Sequence, residues 1–496
     1  MNEVLMDQQD PGFALTPEQQ AMLEQLSSTA TCGEALRWLN VVIDGDLDPQ
    51  RLQIAFNTLL AQQPMLLARL DKVAGFHGLR QVASDAARFP LTIQAGEQRT
   101  EDVQAQIKDS LGCAFVVGES PNVQAVLYRL APQQWQLVLG IARYSADAQS
   151  LNLLLEQVQQ AYAAVQASED EAPGEFAQYL EWRSEVVLDE DAATGRTYWQ
   201  HYLQGVQTDI ATPWLAARSA GSETGAADTC VSLTLEPAQR DGLQRLAEQL
   251  GQPLSMVLQG AWWVLLGRLS GLDQALVGVR HDSRGDYEYF ANAVGVFEKT
   301  LPLSVSLPAT VSFSEWLDEL AARLEAHRTW QEYWAPELSP EAARPAYGFT
   351  LGQANRAGNS GGLNWAVAES VRVPADPFEL LLQVQLNAAQ QLAAVNLHYA
   401  SSRYSPASAS AVLEQYGVLL ASILAAPHTA LARLDLLSRT AEQRLLAINP
   451  AMHALADGPE CVKTLSYRAC FSPLLLGVAT SRLFTRISAG NASERV

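Results

Sequence analysis

Histidine and cysteine are the side chains best suited to acid–base, nucleophilic and metal chemistry near neutral pH. This 496-residue chain carries seven histidines and five cysteines, and neither set forms a recognisable constellation. Cys32, Cys113, Cys230, Cys461 and Cys470 include no CxxC pair and no metal-ligand spacing, so no metal site is expected. The histidines are isolated, and no His-based triad can be picked out by spacing. No P-loop, HExxH zinc pair, EF-hand loop or GxSxG nucleophile elbow occurs. The glycine-rich stretch 358–362 (GNSGG) sits in a polar segment without a strand-to-helix setting and reads as a turn.

The balance of 33 Lys+Arg against 54 Asp+Glu gives a formal charge of -21. That sign argues against nucleic acid and anionic membrane surfaces as partners, because both would repel the chain. With 48% apolar and 18% charged residues, the chain can bury a sizeable core. The acidic start MNEVLMDQQD lacks the basic and apolar regions of a signal peptide. The most apolar stretch, 253–266, is interrupted by Gln259 and is too short to span a bilayer. Scattered, unpaired cysteines suit a reducing compartment, and a cytoplasmic location is expected. One segment departs from this acidic character. Residues 461–496 hold five basic residues and one acidic residue, whereas the preceding 460 hold 28 and 53. With two of the five cysteines and no sustained periodicity, that tail reads as unstructured and outside the folded unit, a truncated or frame-shifted end rather than a basic partner-binding tail.

The elements that must position any site alternate between helix and strand, which gives an α/β (α+β) class. Thr16-Pro17-Glu18-Gln19 reads as a capped helix start. A strand at 38–43 precedes a helix with Leu52, Ala55, Phe56, Leu59 and Leu60 on one face, ended before Pro64. Paired strands at 124–130 and 134–142 lead to an amphipathic helix at 151–165. An aromatic-rich bridge, 176–203, follows. The second half repeats the mixture: strand 231–235, helix 237–250 and a nearly all-apolar helix 255–269. Strands at 275–279 and 300–305, helix 313–327, strands near 347–352 and 380–387, and helix 405–424 complete it. Each half thus has a mixed sheet with flanking helices, and two such lobes imply a cleft between them. The expected division is 12–180 for the N-terminal lobe, 181–205 for the bridge, 206–445 for the C-terminal lobe and 446–496 for linker and tail.

The order of segments resembles the condensation domains of nonribosomal peptide synthetases, which belong with the chloramphenicol acetyltransferase-like acyltransferases. Leu15-Thr16-Pro17-Glu18-Gln19 is similar to the family's opening L-S/T-x-x-Q. Tyr179-Leu180-Glu181-Trp182 and Gly195-Arg196-Thr197-Tyr198-Trp199 resemble its Y-x-x-W and G-x-x-Y-W pattern. The segment from Gly278 to Arg284 resembles G-x-x-x-x-G-R, with Ser283 in place of Gly. Gly295-Val296-Phe297-Glu298-Lys299-Thr300-Leu301-Pro302-Leu303 resembles G-x-F-V-N-T-L-P-L. The resemblance covers about residues 12–445. It implies two chloramphenicol acetyltransferase-like lobes with a channel between them, and amide formation between a carrier-bound thioester and an acceptor amine. It also implies carrier proteins as partners, with substrates arriving on their phosphopantetheine arms and no cofactor bound by the domain itself.

The family's active-site motif is H-H-x-x-x-D-G, after a strand and before the amphipathic helix. The matching stretch here is Ala142-Arg143-Tyr144-Ser145-Ala146-Asp147-Ala148, in which only the Asp survives. The second His is implied to position or deprotonate the attacking amine. Arg143 cannot do so, because guanidinium has no acceptor and stays protonated. The resemblance implies that Asp147 forms a structural ion pair with an Arg of the G-R segment, Arg284 or secondarily Arg280. Tyr144, Ser145 and His281 are the nearby candidates for a substitute base, and none has an activating partner at fixed spacing. Glu298-Lys299 replaces an apolar-Asn pair on a strand expected to face the channel. The losses fall at the reaction centre, so amide formation is expected to be absent or weakened. Two other readings stay open: a non-catalytic module that docks a carrier protein or tailoring enzyme, and an acyltransferase with a different base.

Overall fold

A computed structural model describes residues 12–26, 30–83, 88–164, 175–206, 230–271, 274–353, 358–369 and 378–448. The basic tail 461–496 lies outside them. The chain opens with the helix Pro17–Gln25, capped reciprocally: Thr16 Oγ1 accepts from the Gln19 amide at 3.3 Å, and Gln19 Oε1 accepts from the Thr16 amide at 3.0 Å.

The first lobe is built on a six-stranded sheet. Its strands run in the order Gly358–Ser360, Leu363–Glu369, Leu36–Asp44, Gln134–Ala142, Val123–Ala131 and Leu91–Glu97. Leu36–Asp44 and Gln134–Ala142 pair antiparallel over nine residues, from Leu36 opposite Ala142 to Asp44 opposite Gln134. Alternation along these strands sends Leu39, Val41 and Ile43 to one face, where the helices Pro49–Gln62 and Ala148–Ala163 cover them. Asp48 caps the first of these helices through the amides of Gln50 and Arg51.

The second lobe has its own mixed sheet, ordered Glu298–Ser306, Gln274–Asp282, Tyr347–Gln353, Leu380–Leu386, Leu392–Tyr399 and Cys230–Leu233. The helix Leu254–Ser270 is buried on nearly every side, as its apolar composition requires. Trp262 on it donates from Nε1 to the Gly348 carbonyl at 2.9 Å, fastening it to the sheet. At Gly260 an added Cβ would lie 2.6 Å from Leu317, so only glycine lets the helix Phe313–Thr329 approach this closely. The helix Pro406–Ala425 is long and apolar enough to cross a membrane by length and composition. It instead packs Val412, Leu413, Tyr416, Leu419 and Leu420 into the core of this lobe.

Residues 206–445 are not confined to the second lobe. The hairpin Gly358–Ser360 and Leu363–Glu369 leaves it and completes the first sheet, with Trp365 opposite Ile43 and Val367 opposite Val41. The glycine-rich stretch does contain a turn, since Gly361 and Gly362 both take positive φ (61° and 77°). Its first three residues are a strand, because Leu363 and Trp365 bury their side chains in the first core and hold the hairpin there. The bridge forms two helices, Phe176–Val186 and Ala192–Leu203. Trp199 on the second is buried against Trp334, and its Nε1 donates to the Trp330 carbonyl at 2.7 Å.

Candidate functional site

The loop between Gln134–Ala142 and Ala148–Ala163 turns sharply at the seam of the two lobes. The amides of Ser145 and Ala146 both donate to the Ala142 carbonyl, at 2.8 and 3.1 Å. Ala142 itself is fully buried. The Arg143 amide bonds to the Ala35 carbonyl at 3.0 Å, which sets the residue beside the start of strand Leu36–Asp44. Asp147 ends the loop as the N-cap of the following helix, and its Oδ1 accepts from the Ser150 amide and hydroxyl, both at 2.8 Å.

Asp147 and Arg284 meet across the lobes in a bidentate pair, Nη1 to Oδ2 at 2.8 Å and Nη2 to Oδ1 at 3.1 Å. The amides of Phe297 and Glu298 add donors to Oδ2 at 2.9 and 3.1 Å. Burial pushes the Asp147 carboxyl up, but the Arg284 charge and the hydrogen bonds outweigh it and hold the group below the usual carboxylate value. Arg284 spends its remaining donors on the Ala293 and Gly295 carbonyls, the Ser150 hydroxyl and Asp282, and lies 4.2 Å over the Phe297 ring. Gly295 must be glycine, because a Cβ there would strike Phe176 of the bridge at 2.2 Å. One buried pair thus ties loop, helix and second sheet together.

A cavity of about 810 Å³ lies between the lobes at this point. Arg37, Trp38 and Arg143 line it from the first lobe. Arg280, Asp282, Glu298, Gln383 and His398 line it from the second. Glu298 Oε1 sits between two guanidinium groups, 3.7 Å from Arg37 Nη2 and 3.5 Å from Arg280 Nε. Arg280, the secondary candidate for the Asp147 pair, therefore faces Glu298. Burial, and then the Asp147 charge, push the Asp282 carboxyl up. Gln383 Oε1 lies 3.0 Å from His398 Nε2 on the far wall. Among the described residues no cluster of three or more His, Cys, Asp or Glu is arranged to hold a metal.

Four of the residues expected at the channel do not line this cavity. Strand alternation accounts for two of them. In Gln274–Asp282, residues 280 and 282 face the cavity and His281 points to the opposite face, where its Nε2 meets the Asp286 carboxylate. In Glu298–Ser306, Glu298 faces the cavity and Lys299 is buried on the other side against Glu332. Burial pushes the Lys299 ammonium down, but the Glu332 charge overcomes it and keeps the pKa above its ordinary value. Tyr144 turns inward into the core below the loop and donates its hydroxyl to Asn122 Oδ1. Ser145 is spent on the turn and is 7% exposed. Neither Tyr144 nor Ser145 lines the cavity. Arg37 is the residue that motif reading missed. Its signal was an arginine inside the largely apolar strand Leu36–Asp44, where a charge must have a reason to be buried.

A second buried network stabilises the seam away from the cavity. Arg183 of the bridge donates to both Glu18 oxygens at 2.7 and 3.0 Å, and its Nε lies 3.2 Å from Glu332. Glu332 also accepts from Tyr287 at 3.0 Å and from Lys299. The opening helix, the bridge and the second lobe therefore share one linked set of charges.

Comparison with known proteins agrees with this architecture. A family model of the condensation domain matches residues 13–446. The chain belongs to the condensation-domain family. It is 25% identical over 422 residues to tyrocidine synthase 3 of Brevibacillus parabrevis, covering 82% of this chain and 6% of that protein. It is 22% identical over 449 residues to surfactin synthase subunit 1 of Bacillus subtilis (strain 168), covering 87% of this chain and 12% of that protein. The chain thus spans only a small part of the curated relatives it matches. Among solved structures, the X-domain from teicoplanin biosynthesis superposes with a TM-score of 0.71 at 20% identity, covering 88% of this chain and all of that one (100%). The first condensation domain of the CDA synthetase superposes with a TM-score of 0.66 at 17% identity, covering 86% and 99% of the two chains. The fold is the two-lobed chloramphenicol acetyltransferase-like one that the sequence leads one to expect, in a condensation-like domain of the nonribosomal peptide synthetase type.

Proposed function

We propose that this domain uses the condensation fold to bind carrier-borne acyl or peptidyl groups without performing the family's base-assisted amide formation. One observation carries the reading. Arg143 lines the inter-lobe cavity at the position of the motif's second His, beside a fully buried Ala142, while the Asp147–Arg284 pair is intact. The scaffold of the reaction centre is kept and its proton acceptor is gone. A guanidinium cannot take a proton from an amine at any physiological pH. The partners are carrier proteins, which bring the phosphopantetheine arms, and the domain acts where those carriers are, in the cytoplasm. The X-domain that shares this fold forms a complex with OxyB, which supports docking as a role the fold can serve.

The test is single-turnover amide formation with loaded carrier proteins. The natural chain, Arg143→His and the triple change Ala142→His/Arg143→His/Ala148→Gly are compared, and carrier binding is measured in parallel. A silent natural chain that still binds a carrier supports the reading, and activity gained in the triple variant shows that only the base was lost. Turnover by the natural chain overturns it. In that case Asp282, a cavity carboxylate whose pKa is pushed up by burial, is the substitute base to replace next.

A further inference from the structure

Cys32 and Cys113 are far apart in the sequence, yet the fold sets them opposite each other. Thr31 and Ala114 form an antiparallel bridge, with the Phe115 amide donating to the Ala30 carbonyl at 2.8 Å. One step along the same bridge, the Cys32 amide donates to the Cys113 carbonyl at 2.7 Å. Cys32 opens the short helix Cys32–Ala35, and Cys113 caps the C-terminus of the helix Thr100–Gly112. Opposed, hydrogen-bonded residues of an antiparallel pair hold their Cα atoms about 5.5 Å apart and send their side chains to the same side. A disulfide needs much the same spacing, about 5.5–6 Å between Cα atoms.

The two thiols are free and differ in access. Cys32 is buried, with Gln124 Nε2 at 3.5 Å from its Sγ and the Ala114 carbonyl at 3.9 Å. Cys113 is exposed, its Sγ 3.5 Å from the Asp109 carbonyl. Burial pushes the Cys32 thiol up, the Gln124 hydrogen bond lowers it, and the neighbouring Cys113 sulfur raises it again. An exposed thiol that an oxidant can reach, set beside a sheltered one, is the arrangement of an attacking and a resolving cysteine.

We propose that Cys32 and Cys113 are a reversible disulfide-forming pair, a covalent modification site in the first lobe that reacts with small-molecule disulfides. The proposal does not depend on what the inter-lobe cavity does, since neither cysteine lines it. The Cys113 thiolate attacks one sulfur of a disulfide such as oxidised glutathione, whose S–S bond breaks as one glutathione thiolate leaves. The Cys32 thiolate then attacks the Cys113 sulfur, the mixed S–S bond breaks, and the second glutathione leaves. The two protein thiols lose two protons and two electrons in all, and the glutathione gains both. In a reducing compartment such a bond is transient and reports oxidant. Its position extends its effect beyond the two sulfurs. The Cys32 carbonyl accepts from Trp38 Nε1 at 3.2 Å, and the short helix ends at Ala35, whose carbonyl holds the Arg143 amide. Trp38 and Arg143 both line the cavity, so closing the bond fixes the backbone that supports that wall.

The test treats the intact, folded chain with oxidised glutathione and maps the products by non-reducing peptide mass spectrometry. The natural chain is expected to yield one peptide pair joined between Cys32 and Cys113, with the loss of two hydrogens, and dithiothreitol should restore both thiols. Cys32→Ala should stop at the intermediate, with glutathione retained on Cys113. Cys113→Ser, a change at an exposed position, should leave Cys32 unmodified, and it carries the test alone should Cys32→Ala fail to fold. At equal glutathione, the ratio of crosslinked to glutathione-bearing Cys113 should be about tenfold or more higher in the folded chain than in urea, because the fold holds the pair together. Four results overturn the proposal: glutathione remaining on Cys113 of the natural chain, Cys113 joined to another cysteine or to a second copy, both thiols left unreacted, or the same ratio folded and unfolded.

Discussion

Asp147 and Glu298 are both carboxylates at the seam between the lobes, and both face arginine, yet they live in different electrostatic worlds. Asp147 is 1% exposed at its side chain and collects six donors, from Ser150 twice, Arg284 twice and the Phe297 and Glu298 amides. Glu298 rests 3.5 and 3.7 Å from two arginines, at ion-pair and not hydrogen-bonding separations from Arg37. The first charge is fixed by geometry and holds the fold together. The second is held more loosely, at ion-pair distances from Arg37 and Arg280.

The comparison breaks most easily at Asp147. Asp147→Ala strands a buried guanidinium and should cost about 3–5 kcal/mol, read from the urea midpoint, whereas Glu298→Ala should cost less than about 1 kcal/mol. Equal losses would show that the two carboxylates are not different in kind. Acid titration of stability sharpens the same contrast. His327 is fully buried, its Nδ1 hydrogen-bonded to the Tyr198 hydroxyl at 2.6 Å, and burial with the Arg323 charge lowers its pKa to about 3. A depressed histidine gives stability that is complete above 6.5 and lost as pH falls, by on the order of 3 kcal/mol between pH 6.5 and 4. Asp147, also depressed, should contribute its loss only below the ordinary carboxylate value of 3.8. Stability measured against pH should therefore fall in two stages, and His327→Phe should flatten the first and leave the second.

The smallest effect is the most discriminating. Asp282 and Asp147 share Arg284, but Asp282 is pushed up where Asp147 is held down. A raised carboxyl destabilises the fold once ionised, so Asp282→Asn should stabilise the protein at pH 7. With its side chain 35% exposed, solvent screening reduces the gain to a few tenths of a kcal/mol, visible as a small rise in unfolding temperature. Asp147→Asn should move it down.

Local chemistry made much of this legible in the sequence. The capping residues Thr16 and Asp48, the apolar stripe from Leu52 to Leu60 and the strand ahead of Arg143 all carried their own signals. The arginine that pairs with Asp147 came from the resemblance to the condensation domains, carried by the 142–148 and 278–284 segments, and not from spacing alone. Parity was harder. His281 and Lys299 were placed at the channel because their neighbours belong there, and one residue along a strand reverses the face. The Leu363–Glu369 strand escaped because it depends on a pairing partner remote in the chain, which no local pattern reveals.

That remote pairing has a consequence for how the molecule is made. Strand Leu36–Asp44 is complete early in synthesis, but the neighbour that covers its open side, Leu363–Glu369, leaves the ribosome only after most of the second lobe. Until then the nascent first lobe presents an unpaired, largely apolar edge, the kind of surface on which chains stick to one another. A delay in delivering that hairpin would be felt as aggregation during expression, even though residues 40–44 of that edge are paired in the finished protein.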